Sequence, residues 1–100
     1  AVTGVRIRDN SSGATTSLDV AAVFAYVGLQ PNSAVLQNHL RLDADGCVPV
    51  DARMRTELKG MLAAGIVRSG ASGRAVSSAG DGAIAARTAD RYLTDHNWRD

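Results

Sequence analysis

Cysteine occurs once, at Cys47, so the chain can form no internal disulfide and carries no redox dithiol of its own. Aromatic residues are four in one hundred, and much of the apolar content is Ala and Val, so any core is built from small and branched side chains. Neither sign of charge dominates. Eleven basic and ten acidic residues leave a formal charge of +1, which gives no long-range field to attract nucleic acid or an anionic membrane. Long hydrophobic runs are also missing: residues 20–29 and 61–67 fall well short of the roughly 20 residues that span a bilayer. There is no basic segment followed by an apolar stretch of the secretory kind, and a first residue of Ala suggests a processed or excised piece. The expected compartment is the cytoplasm, and neither nucleic acid nor membrane is expected as a partner. At this length a single domain buries only about 60% of the surface its unfolded chain exposes, so stability calls for a partner chain or a ligand.

The pattern along the chain is mixed α/β. Val5 and Ile7 alternate with Arg6 and Arg8, the cluster Asp9-Asn10-Ser11-Ser12-Gly13 is turn chemistry, and a second extended run opens near Thr15. This predicts a β-hairpin with one buried and one solvated face. Residues 18–27 are nearly continuous in β-branched, aromatic and small apolar side chains, the pattern of a strand covered on both faces. Asn32 or Ser33 is placed to cap a short helical turn through about Gln37. Residues 40–42 and 47–50 flank Asp43-Ala44-Asp45-Gly46, which predicts a second hairpin with Gly46 at positive φ. Residues 51–59 read as irregular surface, and residues 61–65 as a short apolar strand leading into a loop with Gly70 and Gly73. Val76, Ala79, Ala83, Ala86, Ala89 and Leu93 then recur at helical spacing and define one face of a C-terminal helix, with a polar tail from Thr94 expected to fray.

Common chemical motifs fail on specific residues. Gly65 and Gly70 followed by Ala71 and Ser72 come close to a phosphate loop, but Ala71 stands where its lysine is required. What survives is a glycine-bearing loop between a strand and a helix start, a place where backbone amides and the positive helix end meet a ligand. Asp43, Asp45 and Gly46 lack the further oxygen ligands of a calcium loop, and a hairpin turn is the simpler reading. His39 and His96 have no second ligand at metal spacing, and no serine stands in a nucleophile elbow. No complete catalytic constellation is present.

Residues 2–9, Leu18-Asp19-Val20 and residues 24–32 together resemble the end of the pyridine-nucleotide domain of low-molecular-weight thioredoxin reductases, members of the FAD-dependent pyridine nucleotide-disulfide oxidoreductase family. The resemblance continues through Gly60-Met61-Leu62-Ala63-Ala64-Gly65, similar to the family's Gly-x-Phe-Ala-Ala-Gly-Asp segment, and through residues 75–86 and Arg91-Tyr92-Leu93, similar to its C-terminal helix. It implies a partial FAD/NAD(P)-binding, Rossmann-like α/β fold of strands and hairpins followed by that helix. Residues 1–27 would be strands from the end of the NAD(P)-binding domain, and residues 28–100 the C-terminal part of an FAD-binding domain. In this family NADPH reduces the flavin and the flavin reduces a Cys-x-x-Cys pair, so the segment holds FAD rather than performing chemistry. The implied cofactor contacts are Gly65, Ile66, Arg74, Ala75 and Val76, with the helix opening aimed at the flavin ring.

Two departures fall on that cofactor. The family's aspartate that bonds the sugar-like chain of the flavin is Ile66 here, and its Arg-Gln-Ala triplet reads Gly73-Arg74-Ala75. Loss of one charge-assisted hydrogen bond costs about 1.5 to 3 kcal/mol, roughly one to two decades of affinity. The chain also lacks a G-x-G-x-x-G after a first strand, a second dinucleotide fingerprint and the dithiol. The expectation is therefore a flavin-domain segment that is catalytically incomplete alone, partnered by the missing N-terminal flavin and nucleotide domains or by another subunit. A homo-oligomer is expected because strands severed from their sheet leave edges that require pairing. The alternative is a stand-alone binding or oligomerisation module of the same descent that no longer binds flavin.

Overall fold

The computed structural model describes residues 1–98. Its first element is the expected hairpin: β1 (Val5–Arg8) pairs antiparallel with β2 (Thr15–Leu18), Val5 opposite Leu18 and Arg8 opposite Thr15. The turn is held by Asp9, whose Oδ1 accepts the amides of Ser11 at 2.7 Å and Ser12 at 2.9 Å while Gly13 takes φ +74°. Those bonds, led by the Ser12 amide, hold the Asp9 carboxyl below its ordinary value. The expected division into a buried and a solvated face is not found, because only Val5 is even half-buried and Ile7 and Leu18 lie open. Nothing else in the described chain packs across the ribbon.

Residues 18–27 do not form the expected strand beyond Leu18. Strand hydrogen bonds need a neighbour, and no described segment runs beside this one, so its apolar side chains project into solvent: Phe24 is 79% exposed and Tyr26 92%. The hairpin and this segment draw the molecule out to 61 × 27 × 20 Å, with a radius of gyration of 19.9 Å. A compact chain of this length has about 13 Å. The pattern of a strand covered on both faces is therefore not matched: among the described residues nothing covers either face.

The remainder is a small body knit from turns. A 3-10 turn, Ala34–Leu36, follows Ser33 as its N-cap, but the Ser33 hydroxyl donates to the Gly46 carbonyl rather than capping the turn. The Asp43–Gly46 turn forms with Gly46 at φ +78°, but its flanks do not pair as a second hairpin. The Arg41 amide goes to Glu57 Oε1 at 2.6 Å, and Val48 instead bridges Arg68 in parallel, through Val48 N to Val67 O at 2.9 Å and Ser69 N to Val48 O at 2.8 Å. Residues 61–65 likewise reduce to one bridge, Arg55 with Leu62. Residues 51–59 are not merely surface: Met54, at φ +63°, is buried, and it forms the hydrophobic core with Leu40 and Val48.

One long helix, α1 (Ala75–Asp95), closes the chain. It was expected, but it presents an unexpected side to the body. Ser78, Asp81, Ala85, Thr88 and Tyr92, spaced 3, 4, 3 and 4, face inward, while Val76 and Leu93 are 83% and 71% exposed and Ala79, Ala83 and Ala86 are exposed with them. Polar anchors on the first stripe account for this choice, and they leave the apolar stripe uncovered. The tail does not fray immediately after Thr94. The helix runs to Asp95, His96 takes a left-handed conformation, and Trp98 turns back to pack edge-on against Tyr92 at 5.1 Å. The final two residues of that expected tail lie outside the described chain.

Candidate functional site

The loop from Gly65 to Gly73 is fixed to α1 by one buried carboxylate. Asp81 Oδ2 receives Arg68 Nε at 2.6 Å and Oδ1 receives Arg68 Nη2 at 2.9 Å, a two-pronged pairing. Oδ2 also accepts the Gly65 amide at 3.1 Å. The Arg68 bonds are the main cause holding the Asp81 carboxyl below its usual value, and the same bonds hold the guanidinium above its own. Gly65 sits at φ +81°, which an L side chain rarely adopts, and a Cβ there would stand 3.6 Å from Ser78. Loop and helix thus meet at Gly65 with little space between them.

The other end of the loop carries the helix start. Arg74 is the N-cap, extended at φ −103° and ψ 141°, and its side chain caps nothing. Its carbonyl accepts the Ser78 amide at 3.0 Å and the Ser77 hydroxyl at 2.9 Å. Ala75 and Val76 open the helix, so the first-turn amides project past the loop without a capping side chain from Arg74. The positive end of the helix dipole lies at the same place.

Beside the loop runs a groove of about 680 Å³, bounded by Ile66, Arg68, Gly70 and Gly73 on one side and by Pro31, Asp43 and Cys47 on the other. Asp43 is already committed there. Its oxygens accept the Cys47 amide at 2.8 Å, the Asp45 amide at 3.0 Å and the Ser69 hydroxyl, and the Ser69 bond is the chief cause of its lowered carboxyl. The Asp43 turn is accordingly a brace between the two walls. Burial, then Asp43 and Asp45, push the Cys47 thiol upward, so it stays protonated.

The residues named from sequence are therefore brought into one region but play different parts. Gly65 faces the helix, and Ile66 is half-exposed on the groove wall near Gly73. Arg74, Ala75 and Val76 mark the helix opening just beyond Gly73. Sequence reasoning missed the Asp81 and Arg68 pair, because Asp81 lies off the apolar face that the helical spacing defines. A signal for it existed: Asp81 shares the 3-4-3 spacing of Ser78, Ala85, Thr88 and Tyr92.

With that geometry in view, comparison with known proteins is decisive. The family model for pyridine nucleotide-disulphide oxidoreductases matches residues 2–85. The chain belongs to this family. Among its relatives, thioredoxin reductase of Mycolicibacterium smegmatis is 37% identical over 97 residues, covering 96% of this chain and 31% of the relative. Thioredoxin reductase of Escherichia coli O157:H7 is 40% identical over 98 residues, covering 92% and 30%. The crystal structure of thioredoxin reductase from T. acidophilum superposes with a TM-score of 0.68 at 36% identity, over 95% of this chain and 31% of that one. The family's α/β fold is thus shared, and the chain spans about a third of the length of these relatives. No helix among the described residues is long and apolar enough to cross a membrane.

Proposed function

We propose that this chain is the FAD-holding segment of a thioredoxin-reductase-like oxidoreductase, completed by further flavin- and nucleotide-binding parts. The observation that carries this reading is the helix opening at Ala75 and Val76, uncapped by its N-cap side chain and held against the Gly65–Gly73 loop by Asp81 and Arg68. This donor set fits the acceptor edge of a flavin ring: amides supply hydrogen bonds, and the dipole favours negative charge as the ring is reduced. When bound, the flavin relays electrons between a nicotinamide and a dithiol. The chain's own task is to hold it, with Gly65 admitting close approach of the backbone and Arg74, Ala75 and Val76 fixing the helix end. Ile66 contributes surface but no hydrogen bond on the side of the sugar-like chain.

On this reading residues 1–27 close the NAD(P)-binding domain and residues 28–100 belong to the FAD-binding domain. The irregular stretch between β2 and the 3-10 turn supports a boundary there. The protein works in the cytoplasm, and the missing domains or a second subunit cover the exposed side chains of Phe24 and Tyr26 and the outer stripe of α1, supported by their exposure. A second reading, a cofactor-free interaction module, is favoured specifically by Ile66, which places a hydrocarbon side chain on the groove wall.

The test is a visible spectrum of the chain co-expressed with the remaining flavin and nucleotide domains of a thioredoxin reductase, after unbound FAD is removed. A retained flavin band is expected. A folded but colourless complex would overturn the FAD-holding reading in favour of the module.

A further inference from the structure

Towards the C-terminal end of α1, beyond the Gly65 loop, three arginines line a pocket of about 200 Å³: Arg53 from the body and Arg87 and Arg91 from the helix, together with Ile84, Tyr92 and Trp98. A fourth, Arg55, also lines it but is spent, being paired with Asp51 at 2.6 Å and donating to the Trp98 carbonyl. The other three make no ion pair among the described residues. That is unexpected on this helix. Arg87 has Asp90 three residues on, and Arg91 has Asp95 four residues on, both at spacings where helix pairs form. Neither acid is used. Arg87 and Arg91, themselves four apart, instead share the pocket with Arg53, an arrangement that costs free energy through like-charge repulsion.

The backbone and rings around the pocket are tied together. The Thr88 hydroxyl donates to the Arg53 carbonyl at 2.8 Å, tying that segment to the helix. Trp98 is brought over Tyr92 by an edge-on ring contact, and its carbonyl is held by Arg55. Lys59 Nζ lies over the Tyr92 ring, 5.9 Å from its centroid, a further positive charge engaged with a residue of the pocket. These contacts fix the backbone and the aromatic floor of the concavity, and the exposed side chains of Arg53, Arg87 and Arg91 line it in a chain whose total charge is only +1.

We propose that this pocket is a binding site for a compact oxyanion of charge about −2, of the phosphate class, separate from the FAD segment's loop. Planar guanidinium groups match the oxygen geometry of phosphate, and three of them are sufficient to offset a dianion. The volume holds a phosphoryl group with a small substituent and is below the range of about 300–1,000 Å³ usual for larger cofactors, which excludes a whole dinucleotide. The ligand is free phosphate or the phosphoryl group of a small metabolite.

Trp98 is the chain's sole tryptophan and lines the pocket, so its fluorescence reports occupancy. The chain is titrated with inorganic phosphate and, in parallel, with ribose 5-phosphate, at ionic strength held constant with potassium chloride. A saturable change is expected, weakened at least about tenfold in R87Q/R91Q, since each lost guanidinium removes charge-assisted bonds. R53Q, a change outside the helix, gives the same direction should the double variant fail to fold. R6Q/R8Q on β1 removes the same charge far from the pocket and leaves the titration unchanged. Tighter binding of ribose 5-phosphate identifies a phosphorylated metabolite, and equal binding identifies the free anion. A response reproduced by chloride alone, or one equally reduced in R6Q/R8Q, would overturn the site.

Discussion

Asp81, in the first half of α1, holds Arg68 through both carboxylate oxygens and the Gly65 amide through one of them, so a single side chain sets the distance between the glycine loop and the helix. Removing one partner leaves the other's charge half-buried without compensation, whereas removing both removes that penalty. Asp81→Asn and Arg68→Gln should each lower the thermal midpoint by several degrees, and the double variant should fall by less than the sum. Circular dichroism melts of the four proteins check this. Additive losses would show that the two groups are not coupled.

Asp81, together with Asp43, also shapes the response to acid. Asp81 and Asp43 are both held below the ordinary carboxylate value of 3.8, the first chiefly by Arg68 and the second chiefly by Ser69. A carboxyl whose folded value is depressed contributes stability that is fully present above its unfolded value and is lost as pH falls through its folded one. The contribution of this pair should therefore be constant from neutrality down to roughly pH 4 and disappear below it. Asp81→Asn should make the acid limb shallower in a series of melts between about pH 2 and 7. An unchanged limb would remove Asp81 from that role.

How much of this was legible in the sequence depends on whether the cause was local. The hairpin turn was readable because Asp9 and Gly13 carry its chemistry within five residues, and the Asp43–Gly46 turn for the same reason. The position of α1 was readable from its period, but its orientation was not. Its apolar stripe pointed to the buried side, yet Asp81 and Thr88 anchor the opposite side, and a hydrophobic pattern cannot show that a buried ion pair outweighs it. Residues 18–27 failed differently. Their pattern describes a strand between neighbours, and the described residues supply no such neighbours. The candidate cofactor contacts rest on the resemblance alone, since no spacing rule singles out Ile66 or Arg74.

Gly65 offers a test that separates backbone conformation from steric crowding. A Cβ would meet Ser78 at 3.6 Å, an ordinary contact, so Gly65→Ala should be opposed mainly by its φ of +81°. That left-handed conformation costs about 1–2 kcal/mol for an L residue. Chemical denaturation of the two proteins should give a difference of this size. A cost of several kilocalories would mean that the loop and helix cannot separate even slightly at Ser78.

Cys47 should be a slow thiol. It lies on the groove wall, and burial together with Asp43 and Asp45 raises it above the ordinary thiol value. Because the thiolate is the reactive form, its rate with a disulfide reagent at pH 7 to 8 should be below that of an unstructured cysteine peptide, and should climb only at higher pH. Asp43→Asn should speed it by removing one negative neighbour and loosening the turn that binds the Cys47 amide. Reactivity matching the free peptide would show that the groove wall opens in solution.

Ile66→Asp addresses the cofactor argument directly. Ile66 is 49% exposed, so an aspartate there keeps access to water and should change folding stability by no more than about 0.5 kcal/mol. It adds an acceptor to the groove beside Gly73, where the family resemblance places a bond to the flavin's sugar-like chain. In a complex assembled with the flavin and nucleotide domains of a thioredoxin reductase, FAD affinity should rise by about one to two decades, the worth of one charge-assisted hydrogen bond. Equilibrium dialysis of wild-type and Ile66→Asp complexes against FAD measures this, and melts without FAD separate an effect on binding from an effect on folding. Unchanged affinity at unchanged stability would remove position 66 from the cofactor site while leaving the helix opening at Ala75 and Val76 untouched, because those amides do not depend on the side chain at 66.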